Sequence, residues 1–359
     1  MTKQPSYRFV RYTEAWEQRK LGEVAQYRNG KAHENCIDEN GKYIVVNSKF
    51  ISTDGEVKKF SNKKNEALFE NEIAFVLSDV PNGRAIARTF WVEKNDKYTL
   101  NQRIAGITPI GETFPYFLYI LMNRHPYFLA FDDGAKQTNL SVSDVMGFEA
   151  YYPKYSEQQK IGAYFRNLDH LITLQQRKLE VLKEQKKTYL KLLFSAKGQT
   201  KPALRFAGFE DEWKEVKLGE IIQSISSKNY ITEYYEEGNN PVIQQGDIPI
   251  VGFSDNKPFN NFSNVILFGD HTLSLFKPET PFLLATDGIK ILHSDLTTQP
   301  FLFIMLERYL PKSQGYKRHY SLLKNELSSL PSLPEQEVIG SFFQDLDKAI
   351  AKQEEKVNQ

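Results

Sequence analysis

Two segments of this chain repeat one another 178 residues apart. The stretches EQQKIGAYFRNLDHLITLQQRKL (157–179) and EQEVIGSFFQDLDKAIAKQEEKV (335–357) are identical at ten of 23 aligned positions. A second pair lies upstream, because RFVRYTEAWEQRKLGE (8–23) returns as RFAGFEDEWKEVKLGE (205–220). The sequences between these segments share little identity. A fixed frame that occurs twice around dissimilar inserts predicts two related domains, each followed by the same element.

The repeated segment is predicted to be a helix with a heptad seam, because its seam residues alternate at spacings of four and three. The first copy places at these positions Ile161, Phe165, Leu168, Ile172, Gln175, Leu179 and Leu182. The second copy places there Ile339, Phe343, Leu346, Ile350, Gln353 and Val357. A seam this long favours pairing of the two helices, and the alternative is that each helix packs only on its own domain. The two seam glutamines can fix the register of such a pair.

The repeats predict four segments. Residues 1–155 form the first domain with an N-terminal tail, 156–197 a long helix, 198–332 the second domain after a linker at 198–204, and 333–359 a shorter helix. A chain of 359 residues is long enough for two hydrophobic cores. Its single cysteine excludes internal disulfides and fits a reducing compartment. No apolar run approaches the roughly 18 residues of a membrane span, so a soluble, cytoplasmic protein is expected.

Both domains are predicted to be mixed α/β. Strands are expected at 42–52, 72–79 and 85–94 in the first, and at 240–253, 265–269, 271–277 and 289–294 in the second. A helix with a break near Pro126 is predicted over 115–131, and a helix over 299–310 takes the same place in the second domain. The two domains therefore share an order of elements although their sequences differ.

No catalytic or metal-binding motif is present. The chain lacks a phosphate-binding G-x-x-x-x-G-K-[ST] loop, a G-x-G-x-x-G turn, the N-P-P-aromatic motif of adenine methyltransferases and a G-x-S-x-G elbow. His33 and Cys36 form one isolated H-x-x-C, interpreted as a surface loop, and residues 132–134 and 287–288 are interpreted as turns. The chain is therefore expected to be no enzyme and to hold no metal or cofactor, with an enzyme of unfamiliar type as the rival interpretation.

Polar clusters in both inserts are suited to contacting DNA bases, because Arg bonds guanine bidentately and Asn or Gln bonds adenine. The candidates in the first insert are Arg84 (beside Asn82), Asn101, Gln102, Arg103, Lys136, Gln137 and Asn139. Those in the second are Gln244, Gln245, Lys257, Lys317, Arg318 and Tyr320. For any single cluster a solvated loop is the alternative. Segments 134–139 and 315–320 are favoured, since each precedes its repeated helix by a similar distance.

The whole pattern resembles the DNA-specificity subunit of type I restriction-modification systems. The resemblance is carried by the two W…K-L-G-E segments, which start at Trp16 and Trp213, and by the P-x-x-E-Q-x-x-I-G helix starts. These helix starts run from Pro153 to Gly162 and from Pro331 to Gly340, so both are ten residues long and one residue longer than that pattern. TLNQRIAGI (99–107) and FLLATDGIKIL (282–292) are also similar to strands of that family's recognition domains.

The resemblance implies an α+β fold in which two target recognition domains each bind one half of a split target in double-stranded DNA. The two helices would form an antiparallel coiled coil with pseudo-twofold symmetry, which spaces the domains and holds two modification (methyltransferase) subunits. The second helix is shorter than this pattern requires.

The family also implies where the chemistry resides. S-adenosylmethionine would be carried by the modification subunits, which methylate adenine for phage defence, and ATP and Mg would be used by restriction subunits that translocate and cleave DNA. The specificity chain would have no catalytic role. The alternative is a coiled-coil scaffold whose two domains bind protein or glycan instead of DNA.

Overall fold

A computed structural model describes residues 5, 7–81, 83–196, 198–315 and 317–358. The chain forms two compact units, 1–172 and 173–359, and the long central helix contributes residues to both. Within the described ranges, no helix is both long and apolar enough to cross a membrane. The four-segment division by repeats remains a prediction, because the units follow packing and divide the helix between them.

The described part of the first unit has eleven strands, five complete α-helices and the first part of a sixth. The strands are β1 (Glu17–Lys20), β2 (Ala25–Asn29), β3 (Tyr43–Val46), β4 (Phe60–Ser61), β5 (Ile73–Val76), β6 (Ser78–Asp79), β7 (Thr89–Trp91), β8 (Tyr98–Leu100), β9 (Ile104–Pro109), β10 (Thr138–Asn139) and β11 (Glu149–Tyr152). The helices are α1 (Leu21–Val24), α2 (Ser48–Ser52), α3 (Pro115–Met122), α4 (Pro126–Leu129), α5 (Val142–Met146) and α6 (Tyr155–Leu192).

The second unit repeats this plan. Its strands are β12 (Lys214–Lys217), β13 (Gln223–Ile225), β14 (Asn240–Ile243), β15 (Ile250–Ser254), β16 (Ile266–Gly269), β17 (Leu275–Phe276), β18 (Leu283–Leu284), β19 (Ile289–His293) and β20 (Leu327–Leu330). Its helices are α7 (Leu218–Ile221), α8 (Gln299–Arg308), α9 (Tyr320–Asn325) and α10 (Leu333–Asn358), together with the end of α6.

The two units share their sheet topology. A four-stranded antiparallel sheet has the order β2-β9-β5-β7 in the first unit and β13-β19-β16-β17 in the second. A three-stranded sheet has the order β4-β3-β8 or β15-β14-β18, with a parallel pair in each case. A two-stranded pair, β1-β11 or β12-β20, lies next to each helix start. The predicted common order of elements is therefore confirmed.

Strand β5 shows why each insert contains short runs of continuous apolar residues. Ile73 and Phe75 belong to one hydrophobic cluster, whereas Ala74 and Val76 belong to another. Strand β16 does the same, with Ile266 and Phe268 on one side and Leu267 on the other. Since successive side chains point to opposite faces, a strand that is covered on both faces must be apolar throughout.

Several predicted elements are shorter than expected. The strand expected at 42–52 ends at Val46, because the Asn47 side chain accepts a hydrogen bond from Phe50 N (2.8 Å) and starts α2. The strand expected at 271–277 shrinks to Leu275–Phe276, after Leu273 adopts a positive φ of 61°. The helix predicted over 115–131 breaks before Pro126, as expected.

The long helix is fixed to the first unit by its repeated starting motif. Glu157 accepts hydrogen bonds from Arg8 Nε (2.8 Å) and Nη2 (2.5 Å). The buried Gln158 side chain accepts from Phe114 N (2.8 Å) and donates to the carbonyls of Pro153 (2.9 Å) and Glu112 (3.1 Å). The glutamine therefore satisfies backbone groups that would otherwise be buried without a partner, and the glutamate pairs with an arginine side chain.

Helix α10 is fixed to the second unit in the same way. Glu335 accepts from Arg205 Nε (2.7 Å) and Nη2 (2.8 Å). The Gln336 side chain accepts from Thr298 N (3.2 Å) and donates to the carbonyls of Pro331 (3.0 Å) and Leu296 (3.1 Å). The sequence repeat thus encodes one contact, made twice, between a helix start and a domain.

Replacing Gly340 by alanine is expected to lower stability, because the new Cβ would lie 2.9 Å from Pro300 Cβ and 3.0 Å from Phe301 N. Overpacking of this kind costs about 1–3 kcal/mol. A matched control is Gly22→Ala, also in a helix, where the nearest atom is Met146 O at 3.5 Å. Urea unfolding should give a lower midpoint for Gly340→Ala only. Equal midpoints for both variants would show that α10 is not in close contact with α8.

Candidate nucleic-acid interface

In the first unit, two of the predicted DNA-contacting clusters meet at the end of strand β5. Leu77 N donates to Arg103 O (3.0 Å), and Leu77 O accepts from Leu140 N (2.8 Å). Strand β6 pairs with β10, which places Asn139 opposite Ser78. Residues 77–79 therefore lie between segment 101–103 and segment 137–140, so side chains distant in sequence share one edge of the domain.

The third cluster is attached to the same edge by Asp79. The carboxylate of Asp79 accepts hydrogen bonds from the backbone N–H groups of Val80 (2.9 Å), Ala85 (2.6 Å) and Ile86 (3.0 Å). The loop fixed in this way presents Arg84, whose side chain is exposed. Asn82, predicted beside it, lies outside the described residues.

Two further arginines lie beside this loop, outside the clusters predicted from the sequence. Arg88 Nε (2.9 Å) and Arg124 Nη1 (3.0 Å) both donate to the carbonyl of Arg84. They increase the positive charge at this edge. Arg88 directly precedes strand β7 and Arg124 follows helix α3. Neither belongs to a local sequence pattern, so only the folded structure reveals that they lie close together.

The loop at 134–139 is organised by two aspartates. Asp132 Oδ1 accepts from Gly134 N and from Thr138 Oγ1, both at 3.0 Å. Asp133 Oδ1 accepts from Ala135 N (2.9 Å) and Lys136 N (3.1 Å), and these backbone bonds lower the pKa of Asp133. Both carboxylates bond to their own loop, as the turn interpretation requires.

The predicted side chains of these loops differ in how freely they are presented. Lys136, Gln137 and Asn139 are exposed, although the Gln137 amide donates to Ser78 Oγ (2.8 Å) and to Asn139 Oδ1 (3.2 Å). Gln102 donates to Glu34 Oε1 (2.6 Å), and Asn101 is half-buried. Arg103 is exposed and has a positive φ of 65°, which directs its side chain differently from those of its neighbours in the chain.

The second unit brings its clusters together after strand β16. His271 N donates to Gln245 Oε1 (3.1 Å), and Asp270 N donates to Gly288 O (2.8 Å). His319 N donates to Asp270 O (2.8 Å), which brings segment 317–320 to the same place. Three separate segments therefore surround Asp270 and His271.

The second unit's predicted side chains are presented in several ways. Lys317 and Arg318 are exposed, and Arg318 Nη2 lies 3.8 Å from Asp287 Oδ2. Gln244 Nε2 donates to Ile248 O (2.9 Å) inside the β14–β15 hairpin. Tyr320 is half-buried with its ring centroid 6.4 Å from that of Phe268, and burial raises its pKa. Lys257 is exposed after β15, and no described contact joins it to the other candidates.

One interpretation from the sequence is wrong. His33 does not lie in a surface loop, because it is buried and its ring nitrogens bond to Lys31 O (2.7 Å) and Thr99 Oγ1 (2.8 Å). It supports the segment next to Asn101 as a structural residue. Among the described residues, no group of three His, Cys, Asp or Glu side chains could hold a metal ion.

The sequence of the chain matches the model of a known family. The family model described as the type I restriction modification DNA specificity domain covers residues 13–184 and 210–359. The chain belongs to this family. It is a DNA-sequence-recognition subunit, and the alternative of a non-DNA scaffold is not favoured.

Relatives of this specificity subunit span nearly its whole length. The type I restriction enzyme MjaVIII specificity subunit of Methanocaldococcus jannaschii is 24% identical over 391 residues, covering 97% of this chain and 90% of the relative. The crystal structure of the S subunit from M. genitalium superposes with a TM-score of 0.66 at 19% identity, covering 99% and 95% of the two chains. A chain from a structure that describes complex assembly and conformational transition of the type I R-M system superposes with a TM-score of 0.54 at 18% identity. The match covers 97% of this chain and 95% of the other. The α+β fold class is confirmed.

In the second unit of this specificity subunit, α10 runs antiparallel to the end of α6. Gln353 Nε2 donates to Gln175 Oε1 (2.7 Å) and to Gln175 O (2.9 Å), and Gln353 is only 3% exposed. Farther along α6, the ring centroids of Tyr189 and Phe342 are 5.1 Å apart. Higher numbers on α6 meet lower numbers on α10, so the helices are antiparallel and the repeated glutamines contact each other.

A partly buried lysine strengthens this helix pair. Lys186 Nζ lies 2.8 Å from Asp347 Oδ1 on α10 and 2.7 Å from Glu307 Oε2 on α8. Burial lowers the pKa of Lys186, but the two carboxylates outweigh burial and the net pKa is raised. The lysine therefore remains charged and joins three helices.

The predicted seam is occupied unevenly. Ile339 and Phe343 are buried, and the half-buried positions are Ile161, Leu168, Leu179, Leu182, Leu346, Ile350 and Val357. Phe165 and Ile172 are 39% and 54% exposed, so these two predicted positions do not lie in a buried seam in this structure. The described part of α10 covers the segment of α6 after Gln175, whereas Phe165 and Ile172 lie before it.

Proposed function

We propose that this specificity subunit recognises a bipartite DNA target, with one unit binding each half-site. The proposal is supported chiefly by the convergence, in both units, of three separate polar segments on one edge. Exposed Arg84, Arg103 and Lys136 share that edge in the first unit, and Lys317 and Arg318 share the equivalent edge in the second. Such groups suit both phosphate contacts and hydrogen bonds to base edges in the major groove.

The repeated frame supports a division of labour between the units. The helix starts are held by the same Arg–Glu and Gln–backbone contacts in both units, whereas the loops that present polar groups differ. A constant frame with variable loops lets one architecture bind two unrelated half-sites, since half-site spacing in paired DNA-binding modules is set by geometry.

We further propose that the chain acts within a complex and performs no chemistry itself. The helices α6 and α10 would hold two methyltransferase subunits that carry S-adenosylmethionine, and restriction subunits using ATP and Mg would join them. The helix surface supports this role, because α6 presents exposed apolar residues such as Leu171 and Leu174 that its own domain does not cover.

Exchanging residues 24–152 for the corresponding segment of another specificity subunit is expected to change only the first half-site. The boundaries keep Trp16 and the Arg8–Glu157 contact in place, and the Gln158 partners inside the exchanged segment are backbone groups that a related segment also supplies, so the frame should be unaffected. The measurement is the methylated motif produced by the complex before and after the exchange. The reciprocal exchange in the second unit is the control, and a simultaneous change in both half-sites would refute the modular assignment.

A further inference from the structure

In the second unit, one buried pair of polar side chains holds the loop that presents Lys317 and Arg318. His319 is fully buried (0% exposed), with Nδ1 3.0 Å from Asp270 O. Its Nε2 accepts from Gln314 N (3.0 Å). Because one ring nitrogen faces a carbonyl and the other faces an N–H, these partners assign a neutral imidazole with its proton on Nδ1.

Asp270 holds the same loop through its side chain and its backbone carbonyl. Its carboxylate is buried, with the residue 2% exposed, and Oδ1 accepts from Tyr320 N (2.7 Å). The loop is thus tied at Gln314 through the His319 ring, and at His319 and Tyr320 through Asp270. Tying both ends of a short loop to one buried point reduces the conformations open to the side chains between them.

The fold itself does not require polar residues at these two places. In the first unit, Leu77 and Leu140 make the backbone bonds that Asp270 and His319 make in the second. Leu77 N donates to Arg103 O (3.0 Å) and Leu140 N donates to Leu77 O (2.8 Å), just as Asp270 N donates to Gly288 O and His319 N to Asp270 O. Two leucines therefore support the same backbone frame.

The first unit holds its corresponding loop by other means. There, Thr138 Oγ1 and Gly134 N bond to Asp132, and Gln137 bonds to Ser78. Burying a carboxylate and an imidazole is costly unless hydrogen bonds compensate, and an apolar pair would avoid this cost. A polar pair at positions where the repeat tolerates leucine indicates a task specific to the second unit's loop.

We propose that Asp270 and His319 are positioning residues for DNA recognition by the second unit. They fix the loop so that Lys317 and Arg318 meet the DNA in one geometry, and they act without touching DNA themselves. His271, the residue after Asp270, donates its backbone N–H to Gln245 Oε1. This bond links the loop to a second predicted DNA-contacting residue. The inference rests on the proposed function of this unit as the reader of one half-site.

The test compares two substitutions at one exposed position. Gln314→Pro removes the backbone N–H that donates to His319, whereas Gln314→Ala keeps it. A third variant, His319→Leu, copies the residue of the first unit. Each variant is co-expressed with the modification subunit of its system, and methylation is measured for every single-base mismatch in both half-sites.

We expect Gln314→Pro and His319→Leu to reduce discrimination against mismatches in the second half-site about tenfold, with the first half-site unchanged. Gln314→Ala should behave as the unsubstituted chain does. Because Gln314→Pro alters only an exposed loop, it decides the question even if His319→Leu fails to fold.

If the Gln314→Pro and Gln314→Ala chains both methylate a bipartite target and discriminate equally against mismatches, the positioning role is wrong. The proposed function would stand in that case. An equal loss in both half-sites would also overturn it, because that pattern indicates general destabilisation. Failure of the unsubstituted chain to direct methylation at any bipartite target would instead refute the proposed function, and the inference with it.

Discussion

Replacing Arg84, Arg103 and Lys136 together by alanine is expected to lower DNA affinity by at least about a hundredfold. All three side chains are exposed on loops that meet around residues 77–79. Loss of one base or phosphate contact costs about 1–3 kcal/mol, so three losses at the low end already produce this effect. Each lost phosphate contact should also reduce the slope of log affinity against log salt by about 0.9.

The measurement is a salt titration of binding by the assembled methyltransferase complex to its own target. A charge-matched control replaces Lys20, Lys94 and Lys154, which are exposed and lie outside the predicted clusters. Lys20 and Lys154 form only exposed ion pairs, with Glu149 and Glu14, and such pairs contribute little to stability. Equal losses of affinity in both triple variants would mean that overall charge, and not this edge, governs binding.

Glu335→Ala is expected to lower the stability of the second unit by about 3 kcal/mol, because it leaves the buried Trp213 indole and the half-buried Arg205 guanidinium without their acceptor. Glu335 is only 1% exposed and accepts from Arg205 and from Trp213 Nε1 (3.1 Å). Loss of this carboxylate also releases the start of α10 from the segment before β12. Denaturant unfolding followed by Trp fluorescence measures the effect.

Glu157→Ala in the first unit is the matched comparison. Glu157 accepts from Arg8 in the same bidentate manner, but within the described structure the indole N–H of Trp16 has no acceptor. One bond fewer is lost, so this variant should be destabilised less than Glu335→Ala. The reverse order of stabilities would contradict the assignment of the Trp213 hydrogen bond.

The repeated frame could be predicted from sequence because its signals are local and occur twice. The helix starts follow from the P-x-x-E-Q pattern, and the seam positions of Gln175 and Gln353 follow from heptad spacing. The structure adds what each residue contacts: the glutamines of the helix starts bond to backbone groups of the domain, and the seam glutamines bond to each other.

The internal arrangement of the inserts was less predictable, since it depends on contacts between residues distant in sequence. A cap at Asn47 ended a strand that its apolar residues favoured. The His33 ring is buried next to Thr99, which lies 66 residues away in the sequence and forms a hydrogen bond with it. Asp270 and His319 showed no pattern in the sequence, because their partners are backbone groups of other segments.

Whether each unit recognises one half of a bipartite target can be decided by mapping adenine methylation in a host that expresses this chain with its modification subunit. We expect a split motif that is methylated only when this chain is present and that contains two defined half-sites at a fixed spacing. Methylation at a single continuous motif, or methylation independent of this chain, would contradict it.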